Sequence, residues 1–104
     1  MTTLLVDGSM AEFEANASQA AGMLKSLSNE KRLMILCKLL DAGEMSVLPL
    51  ADQVGLSQSA LSQHLARMRA ERIVEFRRDG QTLHYRVADP KVAQVLKALK
   101  SIFC

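Results

Sequence analysis

Gln58, Ser59, Ser62 and Gln63 stand within "GLSQSALSQHLARMRAERIV" at a spacing that puts four short polar side chains on one side of the opening turns of a helix. Each can both donate and accept a hydrogen bond. That chemistry suits the edges of base pairs in a DNA major groove, where Gln can bond adenine and Ser can bond either donors or acceptors. Arg67, Arg69 and Arg72 follow on the same segment and Arg77 and Arg78 come just beyond it, so cations able to neutralise phosphate lie beside the candidate readers. Taken singly, these Ser and Gln residues read equally well as solvated positions on an exposed helix, and the arginines as a wet charged face. The signal lies in their arrangement and structural setting.

A second chemistry is carried by thiols. The chain has two cysteines, Cys37 and Cys104, and in a reducing compartment such a pair serves in catalysis, metal binding or redox sensing more often than as a structural bridge. Cys37, between Leu33 and Leu40, also reads as core filling, and Cys104 as an inert terminal thiol. Lys97 and Lys100 favour a thiolate at Cys104, while the helix end and the adjacent chain carboxylate oppose it. There is no Cys-x-x-Cys motif and no local His or Asp set to orient a base, which argues against a small thiol oxidoreductase and against an enzyme of any kind. His64 and His84 are isolated and read as surface or hydrogen-bonding residues, so neither a metal nor a cofactor is called for.

Positioning these groups takes a recognisable order of elements. Phe13, Ala17, Ala20, Leu24 and Leu27 recur at helical spacing and predict a first helix over about 10–25, rich in small residues that allow close approach of a partner helix. "EKRLMILCKLLDAG" predicts a second, with Leu33, Leu36, Cys37 and Leu40 along one stripe, Lys31 and Lys38 opposite, and Gly43 as its stop. Ser46 and Pro49 open a short third helix over about 47–54, Gly55 caps it, and Ser57 caps a fourth that runs to about 71, with Ala60, Leu61, Leu65 and Met68 inward. The period then changes to two: "IVEFRRDGQTLHYRV" alternates around Asp79-Gly80 and predicts a two-stranded β-ribbon. Asp89 and Pro90 start a last helix whose face of Val92, Val95, Leu96, Leu99, Ile102 and Phe103 is broadly apolar. The order is that of a winged helix-turn-helix, mainly α with a small β-hairpin wing.

Length and composition agree with one domain spanning 1–104. A chain of 104 residues with 49% hydrophobic content folds as one compact unit, and with 4% aromatic residues and no Trp its core must come from Leu, Met, Val and Ala. Met23, Met34, Met45 and Met68 can be read as an adaptable protein-binding face, but core packing is the simpler explanation. Residues 1–9 are expected to be disordered. The net charge of +2 says little, whereas its distribution says more: residues 1–24 hold Asp7, Glu12 and Glu14 without a Lys or Arg, and 57–86 hold six Arg against Glu71, Glu75 and Asp79. No apolar run reaches the roughly 18 residues of a membrane span, and the acidic N-terminus is unlike a signal peptide, so a cytoplasmic protein without membrane contact is expected.

The segments "LKSLSNEKRLMILCKLL", "LADQVGLSQSALSQHLARMRAERIV" and "RRDGQTLHYRV" resemble the ArsR family of small dimeric bacterial repressors, over roughly residues 20–104. The resemblance implies a homodimer formed through the first and last of five helices, a fourth helix in the major groove of operator DNA, and a hairpin wing. Many such proteins sense metals, but the two-cysteine site typical of their second helix is missing, because Cys37 is followed by Lys38 and Leu39. The site on the last helix is missing too, since that segment offers Asp89 and no His. Cys37 and Cys104 instead match a dithiol branch of the family, which implies a switch responding to persulfide, reactive sulfur or another oxidant. A metal-responsive repressor is the alternative.

Overall fold

A computed structural model describes residues 8–103. The elements run α1 (Gly8–Leu27), α2 (Glu30–Ala42), β1 (Met45–Ser46), α3 (Val47–Val54), α4 (Gln58–Ala70), β2 (Val74–Asp79), β3 (Thr82–Val87) and α5 (Pro90–Phe103). Residues 1–7 and Cys104 lie outside the described span, and with them most of the stretch expected to be disordered; α1 is already helical at Gly8. No described helix is long and apolar enough to cross a membrane.

Local chemistry sets the helix ends. The Asn29 carboxamide oxygen accepts from the Arg32 amide at 3.0 Å to start α2, and Asp89 accepts from the Lys91 amide at 2.8 Å to start α5, with Pro90 as its first residue. Ser46 has the extended backbone of an N-cap for α3, although its hydroxyl does not cap.

α2 is the centre of the domain. It packs against α3, β3 and α5, so its buried arc is wider than the single stripe that periodicity predicts. Ile35, Leu36 and Leu39 are fully buried, while Leu33, Cys37 and Leu40 are half-buried at the margin of the core. The expected inward stripe is therefore rotated. Lys31, expected on the opposite solvent face, is half-buried, and its Nζ donates to the Val54 carbonyl at 2.9 Å, satisfying an acceptor at the end of α3. Leu61, Leu65 and Met68 of α4 and Val92 and Leu96 of α5 complete the core, each large side chain worth about 1.5–3 kcal/mol of burial. Of the four methionines considered above, Met68 is buried, Met23 and Met45 pack on the core, and only Met34 is exposed.

The predicted two-stranded ribbon is in fact a three-stranded antiparallel sheet in the order β1-β3-β2. Met45 pairs with Tyr85 and Ser46 with His84. A two-residue strand has no period of its own, and in the sequence it is indistinguishable from the approach to α3. β2 and β3 pair from Val74–Val87 to Asp79–Thr82, and Gly80 and Gln81 form the loop, with Gly80 at φ 65° in the position that favours Gly.

The apolar stripe of α1 is the other departure. Leu27 is buried, but Phe13 and Leu24 are 59% and 60% exposed, and Ile102 and Phe103 on α5 are exposed as well. Periodicity identifies an apolar face, and here this chain alone does not cover it.

Candidate nucleic-acid interface

The turn between α3 and α4 decides where the polar residues point. Gly55 takes a left-handed conformation, φ 68°, and its amide reaches back to the last turn of α3 while the Leu56 amide bonds the Ala51 carbonyl at 3.0 Å. Two residues later the Ser57 hydroxyl accepts from the Ala60 amide at 3.1 Å, and α4 starts. With Leu61, Leu65 and Met68 locked inward, the helical period turns Gln58, Ser59, Ser62, Gln63 and Arg67 outward, and all five are exposed. Gln58, Ser59, Ser62 and Gln63 thus form an exposed polar face on the N-terminal half of α4, and Arg67 lies exposed in its last turn.

Clefts flank this face on both sides. On one side, Gln58 and Ser62 look across a cleft of about 460 Å³ at Gln81, Thr82, Leu83 and Tyr85 of the sheet. On the other, Gln63 shares a small depression with His64 and Arg67.

The arginines, grouped together by sequence, are dispersed. Arg77 and Arg78 lie on opposite faces of β2: Arg78 pairs across from Leu83 on the face of Phe76 and Tyr85, whereas Arg77 lies opposite His84 on the outer face. Arg77 is bound to Glu44, with Nη2 donating to Oε2 at 2.6 Å and Nε at 3.1 Å from both carboxylate oxygens. The Arg77 hydrogen bond, opposed in part by desolvation, holds the Glu44 carboxyl below the usual carboxylate range, and the pairing pushes Arg77 higher still. Arg69 lies over the ring of Phe76, 4.3 Å from its centroid, and Phe76 meets Tyr85 edge-on at 5.3 Å. Arg69 therefore fastens α4 to the sheet. Arg72 sits at φ 62° in the left-handed turn that ends α4, a position usually given to Gly. Arg86 is paired with Glu75 across the strands.

Sequence reasoning assigns no role to Glu44, Lys25 or Arg32. Glu44 is 33 residues from Arg77 in the chain and meets it only because β1 brings the end of α2 to the sheet. Arg32 donates to the Ser26 carbonyl at 3.0 Å and approaches Glu71 at 3.7 Å, tying the ends of α1 and α4 to the start of α2.

Cys37 is half-buried on α2, at the edge of the core. α5 packs along α2, and Lys100 lies 3.8 Å from Asp41, one turn beyond Cys37. Cys104, four residues after Lys100 in the sequence, is outside the described residues, and with it the predicted pairing of the two sulfurs. Among the described residues no group of three or more His, Cys, Asp or Glu side chains is placed to hold a metal ion.

Residues 29–75 match the bacterial regulatory protein, arsR family. The chain is 42% identical over 95 residues to the HTH-type transcriptional regulator YgaV of Escherichia coli, covering 91% of this chain and 96% of that protein. It is also 42% identical over 95 residues to the transcriptional activator HlyU of Vibrio cholerae, covering 91% of this chain and 87% of the relative. The crystal structure of the transcriptional repressor BigR from Xylella fastidiosa superposes with a TM-score of 0.84 at 42% identity, over 91% of this chain and 96% of that one. The fold is the winged helix-turn-helix of these regulators, and the chain belongs to the arsR family of bacterial regulatory proteins.

Proposed function

We propose that this protein is a homodimeric transcriptional repressor that reads operator DNA with α4 and releases it when Cys37 and Cys104 are joined through sulfur. The observation that carries the DNA reading is the exposed polar face of Gln58, Ser59, Ser62 and Gln63, seated on a buried Leu61–Leu65–Met68 stripe and flanked by the sheet. Side chains fixed in this way enter a major groove without rearranging the core. Arg67 and Arg78 contact phosphates, and Arg77 does so by exchanging Glu44 for the DNA backbone. The exposed Phe13 and Leu24 of α1, with Ile102 and Phe103 of α5, support a dimer through those helices, since exposed apolar patches of this kind mark interfaces.

The switch rests on the family resemblance and on the packing of α5 along α2. With a persulfide RSSH as oxidant, two protein thiols and one RSSH give one disulfide, one RSH and one hydrogen sulfide; a second RSSH inserts one further sulfur and releases a second RSH. A direct disulfide requires Cα atoms within about 7 Å, and an inserted sulfur relaxes that limit. Tying the end of α5 to α2 alters the interface that α5 forms and hence the spacing of the two reading helices. No metal takes part.

The test treats wild type, Cys37→Ser and Cys104→Ser with a persulfide donor and follows the mass of the linked peptides and DNA binding in parallel. Wild type should acquire an intramolecular 37–104 link and lose DNA, while both variants keep it. If either variant releases DNA as wild type does, or linked wild type binds as before, the dithiol mechanism is wrong.

A further inference from the structure

Beside the depression that Gln63 lines is a second, larger cleft of about 390 Å³ that shares His64 and Arg67 with it. Its walls come from three helices. Lys25 stands in the last turn of α1, Arg32 in the first turn of α2, and His64, Arg67 and Glu71 on α4, with Ser26, Ser28 and Asn29 along the floor. Three cations therefore face one carboxylate. Arg32 is held in place by the Ser26 carbonyl and by Glu71, so its charge is fixed in the wall, whereas Lys25 and Arg67 are exposed and able to reach a ligand.

We propose that Lys25, Arg32, His64 and Arg67 form a clamp for a backbone phosphate of the bound DNA, adjoining the reading face of α4, and that His64 takes up a proton as the phosphate enters. The inference rests on the DNA reading above and extends it from Arg67 to Lys25, Arg32 and His64, which that reading does not use. Continuity favours DNA phosphate as occupant: through His64 and Arg67 the cleft adjoins the small depression that Gln63 lines, and a strand whose bases face Gln63 carries its phosphates along the adjoining wall. Charge complementarity points the same way, because the net positive wall matches a single diester anion.

His64 supplies the proton linkage. Burial, and then the charges of Arg32 and Arg67, hold its imidazole below the ordinary histidine value, so the free protein disfavours the imidazolium form. The groups that face it are Lys25 from α1, Arg32 from α2, and Arg67 and Glu71 from α4. An arriving phosphate offsets the two guanidinium charges and favours imidazolium, raising the pKa on binding. The complex then holds more protons than its parts, and affinity rises as pH falls, by at most about tenfold per pH unit for one proton.

The clamp is sequence-independent, so a fluorescein-labelled duplex of mixed sequence is a sufficient probe. With the full chain, anisotropy titrations are run across a salt series and between about pH 6 and pH 8. Lys25 is exposed, so Lys25→Gln leaves the fold intact, and it should flatten the slope of log K against log salt by about 0.9. His64→Gln should remove most of the pH dependence while the circular dichroism spectrum stays unchanged. The proposal is overturned if Lys25→Gln leaves the slope unaltered, if His64→Gln keeps the wild-type pH dependence, or if Lys97→Gln on α5 flattens the slope as much as Lys25→Gln, which would reduce the effect to net charge. Wild type showing no salt-dependent binding to any duplex would instead defeat the DNA reading itself.

Discussion

If Arg77 exchanges Glu44 for a DNA phosphate as proposed, removing the Glu44 charge should tighten binding. In the free protein the guanidinium makes a bidentate contact with the carboxylate, so the outer face of the sheet at this point presents a neutral pair to an approaching phosphate. Glu44→Gln keeps the side-chain shape and one acceptor but leaves Arg77 as an unneutralised cation. When Arg77 exchanges Glu44 for phosphate in wild type, the carboxylate stays beside it and offsets its charge, so Glu44→Gln adds one net effective cation at the interface and steepens the slope of log K against log salt by about 0.9. Lowering salt from about 200 mM to about 50 mM should then strengthen binding by the variant roughly 3.5-fold more than by wild type. With Arg77 on the backbone and not on bases, as proposed, the gain should be the same on operator and random duplex, and the ratio between them should not move. Anisotropy titrations with both duplexes over a salt series measure all three quantities. Adding Arg77→Gln to Glu44→Gln should abolish the gain and return the slope to the wild-type value. If Glu44→Gln leaves the slope unchanged, or if its gain survives in the double variant, Arg77 does not exchange Glu44 for phosphate.

Gln63→Ala should weaken operator binding by about 1–3 kcal/mol with little effect on random DNA, whereas Arg78→Ala should weaken both alike and flatten the salt slope by about one; gel shifts with matched competitor separate the two patterns. Leu24→Glu, on the exposed stripe of α1, should convert the proposed dimer to monomer in sedimentation velocity and abolish operator preference, because a lone reading helix spans one half-site. Leu65→Ala, fully buried at the base of the reading helix, should lower unfolding free energy by about 2–5 kcal/mol in urea titration, and a loss under about 1 kcal/mol would contradict its place in the core.

The elements that position the reading face were legible because each has a local cause. Gly55, Ser57, Asp89 with Pro90, and the change of period at Ile73 act within a few residues of themselves, and the structure puts caps, turns and strands where they lie. What escaped was set by contacts distant in sequence. β1 exists because Met45 and Ser46 find Tyr85 and His84, and the buried face of α2 is rotated because α3, β3 and α5 surround it. Residue type marked the arginines as cations, but their partners decide what each is used for: Glu44 holds Arg77, Phe76 carries Arg69, and Glu75 takes Arg86. The basic cleft of Lys25, Arg32, His64 and Arg67 draws on three helices, and no window along the chain contains it.

The short strand β1 has a mechanical consequence. A hairpin joined to its domain by its own two ends could swing toward or away from the DNA, and affinity could then be tuned inside one subunit. Ser46 removes that freedom, because it pairs with His84 in the hairpin and is also the residue from which α3 starts. Arg69 stacked on Phe76 makes a second joint, from the reading helix to β2. Hairpin, α3 and α4 are thus joined at two points into one unit. In the proposed dimer, an inducer has little to gain from deforming such a unit, and its effective course is to change the angle at which two of them are mounted on each other.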